Sequence, residues 1–364
     1  MYCKHILMTL LVIIGVAIST HAQVIEKSKH FDRTFSLQRS VEVSISNKYG
    51  NIHIINWDKD SVRFVVDMVV RSTKQARVDK VFNEIDIKFS QTPYYVMAIS
   101  TFPNSGKLWS EISDVTKSVI NASNEAEIDY TIYLPSWVRL KVENRFGNIY
   151  TTDHEGETEF KLSNGMFQAN NLEGKSKLVI SFGSANINQI NDGSIELNYS
   201  DLELRKINKV QLTGRSSNMR IEEAGHIHLD SRRDKLSVGQ LQSLSGESSF
   251  SRIVINSLNR DMMLSSNYGN LNLMKINGQM QLLQLNASYT NIQVFVQPQL
   301  SAELEILHSK KTKLNYPSAM TISDRVEAIS ENEFSLIKGR IGKEKGCNLK
   351  FNLTGGELNI ILKQ

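Results

Sequence analysis

The segments Phe146-Gly147-Asn148-Ile149-Tyr150-Thr151 and Tyr268-Gly269-Asn270-Leu271-Asn272-Leu273 share one design: an aromatic residue, a glycine, an asparagine, then alternation. Tyr49-Gly50-Asn51-Ile52 and Tyr289-Thr290-Asn291-Ile292 repeat it. Phe182-Gly183, Tyr199-Ser200-Asp201-Leu202 and Phe250-Ser251-Arg252-Ile253 are looser copies. With the last residue of each copy as an anchor, the series runs Ile149, Phe167, Ala185, Leu202, Met219, Leu236, Ile253, Leu271, Ile292, Leu314. Successive steps are 18, 18, 17, 17, 17, 17, 18, 21 and 22 residues. A fixed period of this length is the signature of a repeat architecture, in which each repeat buries its apolar face against its neighbours.

The columns beside the anchor decide which architecture. Two residues on stand Thr151, Ala169, Ile187, Leu204, Ile221, Val238, Ile255, Leu273, Val294 and Tyr316, nine of ten apolar in a chain that is 40% hydrophobic. The column between holds only Tyr150 and Val254 as apolar members. That alternation is a strand with one buried face. A second apolar column lies seven before the anchor: Val142, Phe160, Leu178, Ile195, Leu212, Leu229, Gly246, Leu264, Leu285 and Leu307. A third lies five after it, with Leu172, Ile190, Ile207, Leu241, Leu258 and Ile276. Three before the anchor, six of ten residues are Phe or Tyr, although aromatics make up 8% of the chain. An antiparallel sandwich of hairpins would supply the alternation, but it does not require the same residue type every 17 or 18 residues. Coils of a solenoid stack equivalent residues about 4.8 Å apart, so like packs on like. The reading is all-β: a parallel β-solenoid (β-helix) of about ten coils over residues 138–364.

The small residue after the aromatic (Gly147, Gly183, Ser200, Asp234, Ser251, Thr290 and their equivalents) marks a bend between two strands. Glycine accepts positive φ there, and Ser or Asp can bond nearby backbone. Arg233-Asp234-Lys235 loses both the aromatic and the glycine, which predicts a looser coil. Residues 23–137 read as an N-terminal β-rich region, with strands over 62–71, 94–101 and 127–134. Between the first two, Val78, Val81, Phe82 and Ile85 share a helical face, with Ser72 or Thr73 as the cap. Such a helix could cover an open coil at one end of the stack, as solenoids require. Residues 109–125 have weak periodicity and read as a loop. Residues 318–346 break the period. Leu349, Phe351, Leu353, Leu358 and Ile360 then alternate as a last coil.

The first 22 residues read differently. Lys4 and His5 precede an uncharged apolar run over 6–20, and Thr20-His21-Ala22 offers small residues where an export peptidase cuts, between Ala22 and Gln23. At about 15 residues the run is short of the ~20 a spanning helix needs. Cleavage removes Cys3 and leaves Cys347 alone, so the mature chain has no internal disulfide and no lipid-bearing cysteine. The expected location is extracytoplasmic: periplasm or cell surface. The 42 Lys and Arg are nearly balanced by 38 Asp and Glu, for a net +4, and are scattered. That argues against nucleic acid as a partner.

Chemistry is sparse. No Gly-x-Ser-x-Gly elbow, phosphate loop or His-Glu-x-x-His motif occurs. His226-x-His228, followed by Asp230, puts two imidazoles on one strand face. The stacked positions are Lys209 and Gln211 on one side and Ser243 and Ser245 on the other, which are poor ligands, so the pair reads as solvated histidines. Glu222-Glu223 could be acids of a glycan-cleaving β-helix. The stacking model instead sets Arg205 and Lys206 one coil away, as cross-strand ion pairs worth about 0.2–1 kcal/mol each. Arg232, Arg233, Asp234 and Lys235 read as a solvated corner before a sugar-acid clamp, and the aromatic column as packing before a carbohydrate platform. No catalytic, cofactor or metal residue is assigned.

The export signal, the Tyr-Gly-Asn-Ile turns, and Gly339-x-Ile341-Gly342 ahead of Thr354-Gly355-Gly356-Glu357-Leu358 resemble the putative adhesin family of Gram-negative bacteria. That is a β-strand-repeat domain of unknown function, related to the adhesin head domains named for Gly-Ile-Asn repeats. The resemblance runs from Val41 to the C-terminus and implies an extracytoplasmic β-solenoid. It brings no catalytic or binding residues with it. The function expected is an exported, non-enzymatic binding or scaffold protein for an extended partner such as a glycan, envelope polymer or surface protein. The alternatives are a polysaccharide-active β-helical enzyme and a periplasmic envelope-stress or signalling component.

Overall fold

The computed structural model describes residues 24–102, 126–330, 333–343 and 346–363. The export signal read at 1–22 and the loop read at 109–125 lie outside the described residues. The chain divides into two compact units. The smaller comprises, among the described residues, 24–30, 67–86, 101–102 and 126–127. Its helix, Gln75–Glu84, buries Val78. The cap differs from expectation: Lys74 occupies the N-cap without a side-chain bond, because Ser72 is taken up as the last residue of the strand Ser61–Ser72. The helix is held instead by Lys27, whose ammonium lies 2.9 Å from Asp79 and 4.5 Å from the centre of the Phe82 ring.

The larger unit is the stack. From Arg139–Arg145 to Leu282–Val296, each strand pairs in parallel with the next turn of the chain. The anchors align as read: Ile149 to Phe167, Ala185, Leu202, Met219, Leu236, Ile253, Leu271 and Ile292. The column seven before them is equally continuous, with Val142, Phe160, Leu178, Ile195, Leu212 and Leu229 in register. These side chains are almost wholly buried and form a narrow, dry core along the stack. The ladder also takes in Glu42–Lys48 and Ile52–Asn56, with Ile45 beside Val142 and Ile52 beside Ile149. Beyond them lie residues 95–99 and 130–134.

The C-terminal end corrects the sequence reading. Leu314 does not stack on Ile292. The strand Cys347–Leu362 lies between them, with Leu358 beside Ile292 on one side and Leu314 on the other. It is the second-last parallel layer, not the last. Ile306, not Leu307, continues the inner column, beside Phe351. One extra residue in the bend after His308 shifts the register, and a one-residue shift turns a side chain to the other face. Residues that break the period form an antiparallel end: Ala302–His308 pairs with Ser335–Ile341, which pairs with Thr321–Val326.

The bend is also corrected. Positive φ falls on the residue before the glycine: Tyr49, Phe146, Asn164, Phe182, Tyr199, Ser216, Arg233, Phe250, Tyr268 and Tyr289, at 49° to 64°. Each non-glycine residue held there costs about 1–2 kcal/mol. Two contacts offset this. The backbone N–H continues the ladder, as Tyr199 donates to Arg215 O at 2.9 Å. The rings stack on their neighbours: Phe182 on Tyr199 at 5.3 Å and Tyr268 on Tyr289 at 5.2 Å. An aromatic pair contributes about 0.5–1.5 kcal/mol. The glycine is required for close approach instead. A Cβ on Gly183 would sit 2.3 Å from Gly165 O. Where Ser, Thr or Asp replaces it, the side chain accepts a bond from the backbone N–H of the preceding coil: Ser217 Oγ from Ser200 N, Asp234 Oδ1 from Ser217 N, Thr290 Oγ1 from Gly269 N.

The coil at Arg233-Asp234-Lys235 is therefore not loose. Asp234 is 2% exposed and accepts from Ser217 N, Ser231 Oγ and Arg232 N at 2.7, 2.7 and 2.9 Å. Burial raises its carboxyl above the usual range, against the pull of those donors and of Arg215. Gly214 leaves the room: a Cβ there would lie 2.3 Å from Asp234 Oδ2.

His154 occupies the column of Leu172 and Ile190 and is fully buried. Its Nε2 donates to Val138 O at 2.7 Å, and its Nδ1 has no partner. Burial depresses its pKa, opposed by the Val138 carbonyl and Glu155. Above pH ~6.5 the ring is neutral in folded and unfolded chain alike, with no penalty. As pH falls below that, the unfolded chain takes up a proton the buried ring refuses, and stability declines until the depressed folded-state pKa is reached. In denaturant titrations between pH 7.5 and 5.5, wild type should lose stability at up to about 1.4 kcal/mol per pH unit. His154→Leu should start lower at pH 7.5, by about 1–3 kcal/mol for the orphaned Val138 carbonyl, and have a flatter slope. Equal slopes would contradict this assignment.

Candidate functional site

On the strand after each bend, the residues flanking the inward column point outward. One outward column is Gln168, Asn186, Glu203 and Arg220, in direct register. The other is Thr152, Asn170, Asn188, Arg205 and Glu222. Together with the backbone of Ala169, Ile187 and Leu204, whose side chains point into the core, they line a groove of about 740 Å³. Its wall is ordered by hydrogen bonds that climb the stack. Asp153 Oδ1 accepts from Asn170 Nδ2 at 2.7 Å and from Asn171 N at 3.1 Å. Asn188 Nδ2 donates to Asn171 Oδ1, and Arg205 Nε to Asn188 Oδ1, each at 2.6 Å. At one end Tyr150 stands in register with Gln168 and stacks on His53, ring centres 4.7 Å apart. The surface is a run of amide, hydroxyl and charged groups, of which Asn170, Asn188 and Arg205 are held by hydrogen bonds. It can pair with the hydroxyls of a long polar ligand.

The residues singled out in sequence are distributed as follows. Lys206 does stand opposite Glu223, but neither it nor Arg205 closes an ion pair with the glutamates. Arg205 turns to Asn188 instead, because a side-chain amide at 2.6 Å competes successfully with a solvated carboxylate. Glu222 joins the groove lining. His226 and His228 are exposed, in register with Lys209 and Ser243 and with Gln211 and Ser245, as read. His228 Nδ1 lies 3.1 Å from Ser245 Oγ. Asp230 is engaged by Arg215, at 2.6 and 3.1 Å. Among the described residues no three of His, Cys, Asp and Glu converge to hold a metal. Asp234 is the member of the Arg232–Lys235 cluster that is buried rather than solvated. The groove itself was not read from sequence. Its signal was present in the asparagines at 170 and 188, which alternation alone sends outward.

No family model matches the chain, and no curated protein sequence does. Several solved structures align with it, two of them as follows. One is a putative cell adhesion protein from Clostridium sporogenes ATCC 15579, at 11% identity and a TM-score of 0.19, over 93% of this chain and 100% of that one. The other is a putative adhesin from Bacteroides fragilis NCTC 9343, at 12% identity and a TM-score of 0.28, over 72% of this chain and 96% of that one. Both likenesses are distant, and no residue here takes a role from them. No helix among the described residues is long and apolar enough to cross a membrane.

Proposed function

We propose that the chain is an exported, non-enzymatic binding protein of adhesin type, which holds an extended glycan or envelope polymer along the groove. The observation that carries this is the groove wall, where side-chain amides and Arg205 are fixed across successive coils by bonds of 2.6 to 2.7 Å. Side chains already held by hydrogen bonds reduce the ordering cost of binding. The stack supplies a long face whose groups recur at each coil, which matches a polymer better than a compact metabolite. Secretion through the signal at 1–22 would bring that face to the cell envelope.

Two measurements test the reading. A glycan array probed with the mature chain should give a hit that Asn188→Ala weakens at least tenfold without moving the unfolding midpoint appreciably. Turnover of the bound glycan would replace binding with catalysis. Protease treatment of intact cells carrying the tagged chain should degrade it. Complete protection would reject surface adhesion and leave a periplasmic scaffold or signalling role.

A further inference from the structure

The left-handed bend forms a column along the stack: Phe182, Tyr199, Ser216, Arg233, Phe250, Tyr268, Tyr289. Phe182 and Tyr199 stack within 2° of parallel, and Phe250, Tyr268 and Tyr289 within 6°. The sequence reading took these rings for packing before a carbohydrate platform; they do pack on one another, while Tyr199 is 60% and Phe250 54% exposed. Inside each block, rings cover each other's faces. Ser216 and Arg233 break the column, so one face of Tyr199 and one face of Phe250 look into a gap three ladder steps wide, about 14 Å.

The gap is cationic. Arg232 and Arg233 belong to its rim, and Lys235 and Arg252 stand beside it in direct register. Like charges opposite one another on neighbouring strands are unfavourable. Among the described residues none of the four has an ion-pair partner, whereas nearby Arg215 is satisfied by Asp230. The one acid of the cluster, Asp234, faces inward to Ser217, Ser231 and Arg232. Arg233 adopts φ 60°, a conformation that glycine takes without strain, as Gly355 does at the corresponding bend at φ 78°. The fold thus places a long cation where a glycine would serve it better, and turns the neutralising carboxylate away.

We propose that the gap between Tyr199 and Phe250 is a second binding site, for an acidic polysaccharide of the uronic-acid type. A sugar ring lies on each open aromatic face, and its carboxylates pair with Arg232, Arg233, Lys235 and Arg252. Guanidinium matches a carboxylate through two parallel hydrogen bonds. The geometry disfavours a single-stranded nucleic acid, whose successive bases need a run of open ring faces. Here most faces are covered by neighbouring rings.

The test uses the full mature chain and a soluble oligogalacturonate, with its methyl ester and a single-stranded DNA oligomer as comparison probes, in calorimetric titrations. Oligogalacturonate should bind, more weakly as salt rises, and the methyl ester at least tenfold more weakly. Arg233→Ser, which copies Ser216, should weaken binding about tenfold. Ser216→Tyr should weaken it similarly while raising the unfolding midpoint, because the new ring stacks on Tyr199 and closes its face. Asn188→Ala, in the groove, should leave it unchanged, which separates this site from the groove reading. No binding by wild type, unchanged binding in both bend variants, or tighter binding of the DNA would overturn the proposal.

Discussion

Leu204→Asp should abolish folding. Leu204 is 2% exposed, with Ile187 and Ile221 directly beside it in the ladder. An aspartate there loses the apolar burial of the leucine and buries a carboxylate with no cation to meet it. Effective penalties of several kcal/mol attach to an unpaired buried charge, on top of about 2–5 kcal/mol for the lost side chain. That is comparable with the whole stability of a domain, about 5–15 kcal/mol. The purified variant should lack a cooperative unfolding transition or accumulate as aggregate. Lys206→Ala, two residues away and exposed, should change stability by no more than about 0.5 kcal/mol. A soluble Leu204→Asp with a native-like transition would mean that the inward column is not a core.

Gly147→Val is the second severe lesion, for a different reason. A Cβ at 147 would lie 1.9 Å from Gly50 O and 2.6 Å from Gly50 C, so backbone must move on the neighbouring coil. Ser and Thr are accommodated elsewhere in this column because their oxygens gain a ladder bond, as Thr290 does. Valine gains none. The expected loss exceeds about 3 kcal/mol, at the upper end of overpacking effects. Gly278, where a Cβ would meet nothing within 4 Å, is the control. Gly278→Ala should leave the midpoint within about 0.5 kcal/mol. Equal effects at 147 and 278 would show that close coil-to-coil approach does not select the glycine.

The middle of the stack was legible because its cause is local and repeated. A coil of 17 or 18 residues returns each side chain to the same environment, so the columns headed by Ile149 and Val142 appear in the order in which the chain presents them. The ends were not legible in that way. Leu314 keeps the alternation of a coil whether it stacks on Ile292 or on Leu358, and alternation carries no information about which neighbour fills the adjacent layer. The bend was misassigned because glycine is the usual holder of positive φ. Here ring stacking between coils outweighs that preference at Phe182 and Tyr199, and the glycine serves the approach of neighbouring backbones. Of the groove, the outward direction of Asn170, Asn188 and Arg205 followed from alternation. The bond from Arg205 to Asn188, which displaced the expected pair with Glu222, depends on rotamers that spacing does not determine. Asp234 was read as solvated because its sequence neighbours are charged, whereas its side chain fills the space beside Gly214.

The groove and the bend exist only if the coils stack in parallel register, and the intercalated C-terminal strand is the sharpest consequence of that arrangement. A disulfide needs Cα atoms about 4.4–6.8 Å apart, which adjacent ladder positions about 4.8 Å apart satisfy and positions two layers apart do not. In a Cys347→Ser background, paired cysteines should be placed at Gln293 and Asn359, at Asn315 and Asn359, and at Gln293 and Asn315. Oxidation should close the first two pairs rapidly, because Asn359 is in register with Gln293 and with Asn315, and should leave the third open. Rapid closure of Gln293 with Asn315, with Asn359 reactive toward neither, would contradict the stack described here.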